Sequence, residues 1–197
     1  MPKGARTRHT ILREAVDLAS VVGLQGLTIG SLATHTGLSK SGLFAHFGSK
    51  QHLQLATLEA VTERFREVVI RPALTRPRGL ARIRALFENW LNWNDQAGPR
   101  GGCLFAQAAA ELDDQPGPAR EYVASAQRQW LEFLAGAARR AIATGEFRRT
   151  LDCVQFAHDL NAIYLGFHQA RRLLRDPLAR TRARRAFHRL LEDARTP

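Results

Sequence analysis

Residues 28–53 decide the fold, and they read TIGSLATHTGLSKSGLFAHFGSKQHL. This stretch predicts two short helices joined by a tight turn. Gly37 can adopt the positive φ that redirects the chain, and Ser39 can cap the second helix. Ala33 is small where the helices must approach closely, and Leu43 supplies an apolar contact to the core. The spacing is typical of a helix-turn-helix, although an ordinary αα-corner also satisfies it.

The second of these helices begins with chemistry that suits DNA. Its N-terminus combines small hydrogen-bond donors, a cation and free backbone N–H groups, which together favour phosphate and base edges. Lys40 can donate to guanine in the major groove or to a phosphate, and the sequence leaves both readings open. The predicted DNA contacts are Thr28, Ser39, Lys40, Ser41, Gly42, Phe44, His46 and Lys50, with Lys3 and Arg6 in a basic arm that also holds Arg8.

Composition supports a globular protein with an anionic partner. The 197 residues are 45% hydrophobic and carry a formal net charge of +11, which favours polyanions. Arg supplies most of this charge, and because GC-rich coding also enriches Arg, charge alone does not establish DNA binding. Two cysteines are too few for a disulfide framework, and no stretch is apolar for long enough to be a leader or a membrane span. We therefore expect a cytoplasmic protein with no membrane contact.

Apolar residues recur at helical spacing almost throughout, which predicts an all-α fold of about nine helices. The first helix is expected to stop at Gly23. The helix that begins near Ser49 is expected to end at Pro72 and Pro77, so that residues 71–79 form a connection, and five more helices follow. We predict a helix-turn-helix DNA-binding domain over residues 1–50 and a helical effector-binding and dimerisation domain over residues 51–197.

Residues 28–53 resemble the DNA-binding signature of the tetracycline-repressor (TetR) family of bacterial transcriptional regulators. The resemblance rests on Ala33, Gly37, Ser39, Lys40, Leu43, His46, Phe47, Lys50 and Leu53 at their spacings. Two positions depart from the family pattern. Phe44 replaces a Tyr whose hydroxyl contacts a phosphate, and Gly42 replaces a small side chain that can touch bases.

The resemblance implies a repressor that binds a palindromic operator in double-stranded DNA and leaves it when a small effector binds. It also implies a homodimer through the last two helices, whose apolar stripes could otherwise pack within one chain. We expect the effector to act through the helix near residues 49–70, by changing the separation of the two recognition helices.

Large aromatic and polar residues on apolar stripes are the candidates for an effector pocket. They are Trp90, Phe105, Trp130, Asn161, Tyr164 and His168, and each of them also fits ordinary core packing. Their aromatic character predicts a small apolar or weakly polar ligand. Asn161 is notable because an amide close to a buried face needs hydrogen-bond partners.

Enzymatic function is not expected, since no nucleophile–base pair or metal-type cluster is evident, and no cofactor is predicted. Glu111, Asp113 and Asp114 are interpreted as acids that solvate a Pro-Gly-Pro turn. The arginines near the C-terminus are interpreted as a solvated face with ion pairs. The alternative function is a small-molecule-binding or partner-binding helical protein without sequence-specific DNA binding.

Overall fold

The computed structural model describes residues 3–96 and 98–195, without the side chains of residues 3–6 and 94–96. Every regular element in these residues is helical, which confirms the predicted all-α class. The helices are α1 (Lys3–Gly26), α2 (Ile29–Thr36), α3 (Lys40–Phe47), α4 (Lys50–Phe65), a π-helix (Arg66–Ile70), α5 (Arg71–Leu74), α6 (Leu80–Gln96), α7 (Leu104–Leu112), α8 (Pro118–Ala143), α9 (Cys153–Arg172) and α10 (Ala179–Ala194). The run from α4 to α5 is continuous, and counting it once gives nine helical segments within the described residues.

The chain divides into two compact units, of which the first comprises Met1–Phe65 and Ala97–Ser125. Within this unit α1 packs against α2, α4 and α7. The regular part of α1 is interrupted at Gly23, where φ is 79°. L side chains rarely adopt this conformation, so Gly permits the break that the sequence predicted.

The helix-turn-helix consists of α2, a turn and α3. Thr28 caps α2 through a capping box with Ser31, in which each side chain bonds the other residue's backbone N–H at 2.9 Å. Gly37 turns the chain with φ 69° and ψ 11°. Leu32 and Leu43 are almost fully buried, so the two short helices depend on the core for their stability.

Pro72 does not end the helical run that begins at Lys50, contrary to the expectation from sequence. The chain passes from α4 through the π-helix into α5 and remains helical to Leu74. Pro72 lies in the first turn of α5, directly after the π-helix, and proline is common in the first turn of a helix. The connection before α6 is therefore residues 75–79 rather than residues 71–79.

The second unit comprises Arg66–Gln96 and Ala126–Pro197. In it α9 packs against α10, and α6 contacts α10 through stacked Phe87 and Phe187 rings with centroids 3.9 Å apart. Arg184 of α10 also donates to Glu88 of α6 at 2.7 Å, as expected for a solvated arginine face with ion pairs. Among the described residues, no helix has the length and apolar character that crossing a membrane requires.

Candidate nucleic-acid interface

The N-terminus of α3 is exposed and has no carboxylate. Ser39, Lys40, Ser41 and Gly42 are all solvent-accessible. The Ser39 hydroxyl accepts the Gly42 N–H at 3.1 Å and so caps the helix, as predicted. With no acidic residue in the first turn, the positive end of the helix dipole favours an anion.

The N-terminus of α2 lies beside that of α3. A Cβ built on Gly30 would be 3.7 Å from Thr28 Oγ1 and 3.9 Å from Lys40 Cε. The structure therefore brings Thr28 and Lys40 onto one surface, where the sequence placed both. The Thr28 hydroxyl is already engaged with Ser31, so its first role is to fix the start of α2.

Helical periodicity separates the inner and outer residues of α3. Leu43 and Phe47 are buried in the core, with 1% and 5% of their surface exposed. Phe44 follows Lys40 by four residues on the outer face, and 57% of its surface is exposed. The Phe44 ring is therefore accessible to a partner on the same face as Lys40.

The stretch of chain that forms this surface carries cations and no carboxylate. No Asp or Glu occurs in the sequence between Asp17 and Glu59. On α1 the Arg8 guanidinium lies 5.4 Å from the Phe47 ring centroid, a cation–π contact that leaves Arg8 exposed. A surface with cations and few carboxylates attracts the phosphates of a nucleic acid.

The predicted basic arm is instead the first turns of α1, because helix begins at Lys3. The residues before Ile11 are mostly polar and form no apolar stripe that would predict this part of the helix. The side chains of Lys3 and Arg6 lie outside the described residues. His46 is exposed at the end of α3, and Lys50 donates to Gln25 Oε1 at 3.3 Å.

Glu111 has a role that the sequence interpretation missed. Its carboxylate accepts the Leu24 N–H at 2.7 Å and the Gln25 N–H at 2.6 Å, which fixes the segment that follows the Gly23 break. It does not merely solvate a turn. Gly23 is the feature of the sequence that could have indicated this role. A helix that breaks there leaves backbone N–H groups that need acceptors from elsewhere in the chain.

Four of the six predicted effector residues form one aromatic cluster in the second unit. Trp90 stacks on Tyr164 with centroids 3.9 Å apart and an interplanar angle of 13°. Trp130 meets Trp90 edge-on at 4.9 Å, and His168 lies 6.4 Å from Tyr164. The sequence interpretation missed Phe133, which stacks on Trp130 at 5.7 Å and could have been found from its position on the same helical stripe.

The other two predicted effector residues are placed differently. Asn161 is half-buried on α9, the helix that carries Tyr164 and His168. Phe105 lies on α7 in the first unit, so the structure does not bring it into the cluster.

His168 is the titratable member of the aromatic cluster. Burial lowers the pKa of His168 below its usual value of 6.5, and the nearby Arg172 lowers it further. Its Nδ1 atom is buried without a hydrogen-bond partner among the described residues. The ring is thus held mainly in its neutral form.

Comparisons with known proteins agree with this geometry. Residues 11–57 match the family model "Bacterial regulatory proteins, tetR family", and residues 79–187 match "Tetracyclin repressor-like, C-terminal domain". No curated protein matches the chain in sequence.

Solved structures of regulators share the fold. A TetR transcriptional regulator from Chloroflexus aurantiacus is 28% identical, with 98% of this chain and 96% of that chain covered and a TM-score of 0.85. A TetR-family regulator from Cytophaga hutchinsonii is 20% identical, with coverages of 100% and 98% and a TM-score of 0.84. A putative regulator from Saccharomonospora viridis, solved with choline, is 20% identical, with coverages of 98% and 100% and a TM-score of 0.80.

Proposed function

Because this chain belongs to the tetracycline-repressor (TetR) family of bacterial transcriptional regulators, we propose that it is a repressor released from its operator by a small-molecule effector. As a member of that family it is a DNA-binding transcription factor and not an enzyme. The observation that carries the proposal is the exposed, carboxylate-free N-terminus of α3. We assign DNA reading to residues 1–50, and effector binding and dimerisation to residues 51–197, in the cytoplasm.

In the proposed complex, α3 enters the major groove with its N-terminus against the bases. Lys40 donates to a guanine edge or to a phosphate, and Ser39 and Ser41 lie beside it on the exposed first turn. Gly42 permits close approach of the backbone to the DNA. Phe44 places its ring against a sugar or a thymine methyl group, because it lacks the hydroxyl that would donate to a phosphate.

We propose that two chains bind one palindromic operator, since a single helix-turn-helix reads few base pairs. Half-sites then lie about 34 Å apart, one turn of B-DNA, or a multiple of that spacing. Support for dimerisation through α9 and α10 comes from exposed apolar side chains on α9 and in the connection after it. These are Val154, Leu165, Leu173, Leu174 and Leu178. Sedimentation that shows only a 22.0 kDa species at micromolar concentration would contradict the dimer.

The aromatic cluster supports an effector site in the second unit. Its ring faces favour a small apolar or weakly polar ligand, and the choline-bound relative from Saccharomonospora viridis shows that this fold accommodates a small organic molecule. The effector must bind the DNA-free state more tightly than the DNA-bound state, because a ligand shifts an equilibrium only by differential affinity. We place the shift in the helical run from α4 to α5, near residues 49–70.

Selection of duplexes from a random DNA pool tests the proposal. The full chain should recover an inverted repeat, and Lys40→Ala should lose it while its circular dichroism stays unchanged. Arg149→Ala is the matched control, because Arg149 is an exposed cation in the connection between α8 and α9. The affinity of the wild-type protein for the recovered site should fall steeply with salt.

Recovery of no motif, or a repeat that Lys40→Ala binds equally well, would contradict sequence-specific reading by α3. Salt-sensitive binding without any motif would then indicate that the +11 charge acts non-specifically. In that case the alternative, a small-molecule-binding or partner-binding helical protein, would be favoured.

A further inference from the structure

A concave groove of about 900 Å³ lies in the second unit, between the α5–α6 region and the second half of α8. Its volume is in the range of small-molecule sites in proteins. Four arginines line it, namely Arg82, Arg128, Arg139 and Arg140, and Glu132 is the one carboxylate among its lining residues. The groove is therefore strongly cationic.

We propose that this groove binds a small amphiphilic anion, a molecule with a phosphate or carboxylate head and a short apolar body. Guanidinium groups bind both heads through paired hydrogen bonds, and a concave surface of one charge concentrates the attraction. The site does not depend on the DNA-binding role proposed above; it is an open groove that adjoins the aromatic cluster through their shared residue Phe133.

Existing contacts position two of the arginines. Arg82 Nη2 donates to the carbonyls of Leu74 and Arg76 at 3.1 and 3.0 Å, which holds the side chain at the end of α5. Its Nε atom is buried without a hydrogen-bond partner among the described residues. Arg140 Nη1 donates to the Gly136 carbonyl at 2.9 Å and so lies along its own helix. Both guanidinium groups are thus partly ordered before a ligand arrives.

The charges of the groove do not cancel. Arg139 pairs with Glu132 and neutralises it. Arg128 is exposed and forms no ion pair within the part of the chain that the structure describes. Three guanidinium groups therefore remain without a carboxylate inside one concave surface. A bound anion would offset the repulsion among these like charges.

The apolar part of the groove lies beside its charges. Phe133 and Ala137 come from the same face of α8 as Arg140, and Leu74 comes from the end of α5. Leu74 is 43% exposed, so an apolar ligand body would remove it from water. Gly136 also lines the groove, and a Cβ added to it would lie 3.2 Å from Arg140 Nη1. A larger side chain at this position would therefore occupy part of the groove.

The Phe133 ring also reports on occupancy. It stacks on Trp130 with centroids 5.7 Å apart, so a ligand against Phe133 changes the surroundings of a fluorescent side chain. Binding can therefore be followed on the full chain without DNA. A failure of this site then leaves the proposed DNA-binding function untouched, and a failure of DNA binding leaves this site untouched.

The test titrates the full chain with octyl phosphate and octanoate, using tryptophan fluorescence and calorimetry. Inorganic phosphate supplies the charge without the chain, and octan-1-ol supplies the chain without the charge. The proposal predicts saturable binding of octyl phosphate or octanoate, about tenfold tighter than either partial probe, because both halves of the groove are used.

Variants locate the site. Arg128→Gln and Arg140→Gln should each weaken binding of the amphiphilic anion by about tenfold, since each removes one charge-assisted contact from an open groove. Arg149→Gln is the matched control and should change affinity less than twofold, in line with a distant exposed charge. Gly136→Leu, which fills part of the groove, should abolish binding while circular dichroism and melting temperature confirm a folded chain.

Three results would overturn the proposal. Octan-1-ol that binds as tightly as octyl phosphate would show an apolar site without charge recognition. An equal loss in Arg149→Gln would show attraction to the overall positive charge only. Absence of saturable binding by every probe in a folded chain would show that the groove holds no small amphiphilic anion.

Discussion

Replacement of Gly101 by Ala is expected to separate the start of α7 from α1. The Gly101 N–H donates to Ser20 Oγ at 2.8 Å, and Ser20 is buried. A Cβ on residue 101 would lie 1.7 Å from the Ser20 carbonyl oxygen and 2.7 Å from the Val21 nitrogen. Both atoms belong to the backbone of a helix, so neither can rotate away. The two chain segments must move apart by more than 1 Å.

The cost of this change follows from two terms. Overpacking of a rigid contact costs about 1–3 kcal/mol, and a buried donor or acceptor left without its partner costs about 1–3 kcal/mol. We therefore expect Gly101→Ala to lower the free energy of unfolding by about 2–6 kcal/mol and the melting temperature by about 4–24 °C.

Urea denaturation and calorimetry measure the effect, with Gly30→Ala as the matched control. Gly30 lies inside α2, and its added Cβ meets only ordinary contacts at 3.7 and 3.9 Å. Because Gly30 lies in the first turn of α2, we expect this variant to be as stable as the wild type or more stable by up to about 1 kcal/mol. A Gly101→Ala protein that unfolds together with the wild type would refute the close contact between residue 101 and α1.

Three further outcomes are expected. Glu111→Ala should lower the free energy of unfolding by about 1–3 kcal/mol, because two backbone N–H groups lose a charged acceptor; the exposed Asp114→Ala should change it by less than about 0.5 kcal/mol in the same urea titration. Ser39→Ala should lower the free energy of unfolding by about 1 kcal/mol, because α3 loses its N-cap. Ser39→Asp should keep the melting temperature of the wild type, because Asp can also cap a helix. His168 has a lowered pKa, so the unfolded chain binds its proton first, and stability should fall as the pH drops below about 6.5. His168→Gln should reduce that loss between pH 7.5 and 5.5, and an identical pH profile in the variant would exclude His168 as its source.

The helix-turn-helix was predictable because its constraints are local. The left-handed turn needs Gly37, each short helix needs a capping hydroxyl, and the buried side of α3 needs apolar residues four apart, as at Leu43 and Phe47. All of these requirements fall within 26 consecutive residues. The pattern of the helix-turn-helix can therefore be recognised from this stretch alone, although the stability of its short helices comes from packing in the core.

The errors arose where distant residues or missing patterns decide the structure. The sequence predicts that Pro72 ends a helix, yet the chain continues through a π-helix into α5 with proline in its first turn. The aromatic cluster draws on α6, α8 and α9, and the prediction includes Phe105 only because it is aromatic. Periodicity shows which side of a helix is buried, but it does not show which helices share a core.

Leu24 shows how the first unit fixes the approach to its DNA-reading helices. Its N–H is accepted by Glu111 of α7 at 2.7 Å, and its carbonyl accepts the Gln54 side chain of α4 at 2.7 Å. The break at Gly23 leaves the Leu24 N–H without a helical partner, so Glu111 satisfies it, whereas the Leu24 carbonyl accepts the Leu27 N–H at 3.2 Å in addition to Gln54. Four residues later Thr28 caps α2. A shift of α4 or α7 must therefore either move the segment that leads into α2 or break a hydrogen bond at Leu24.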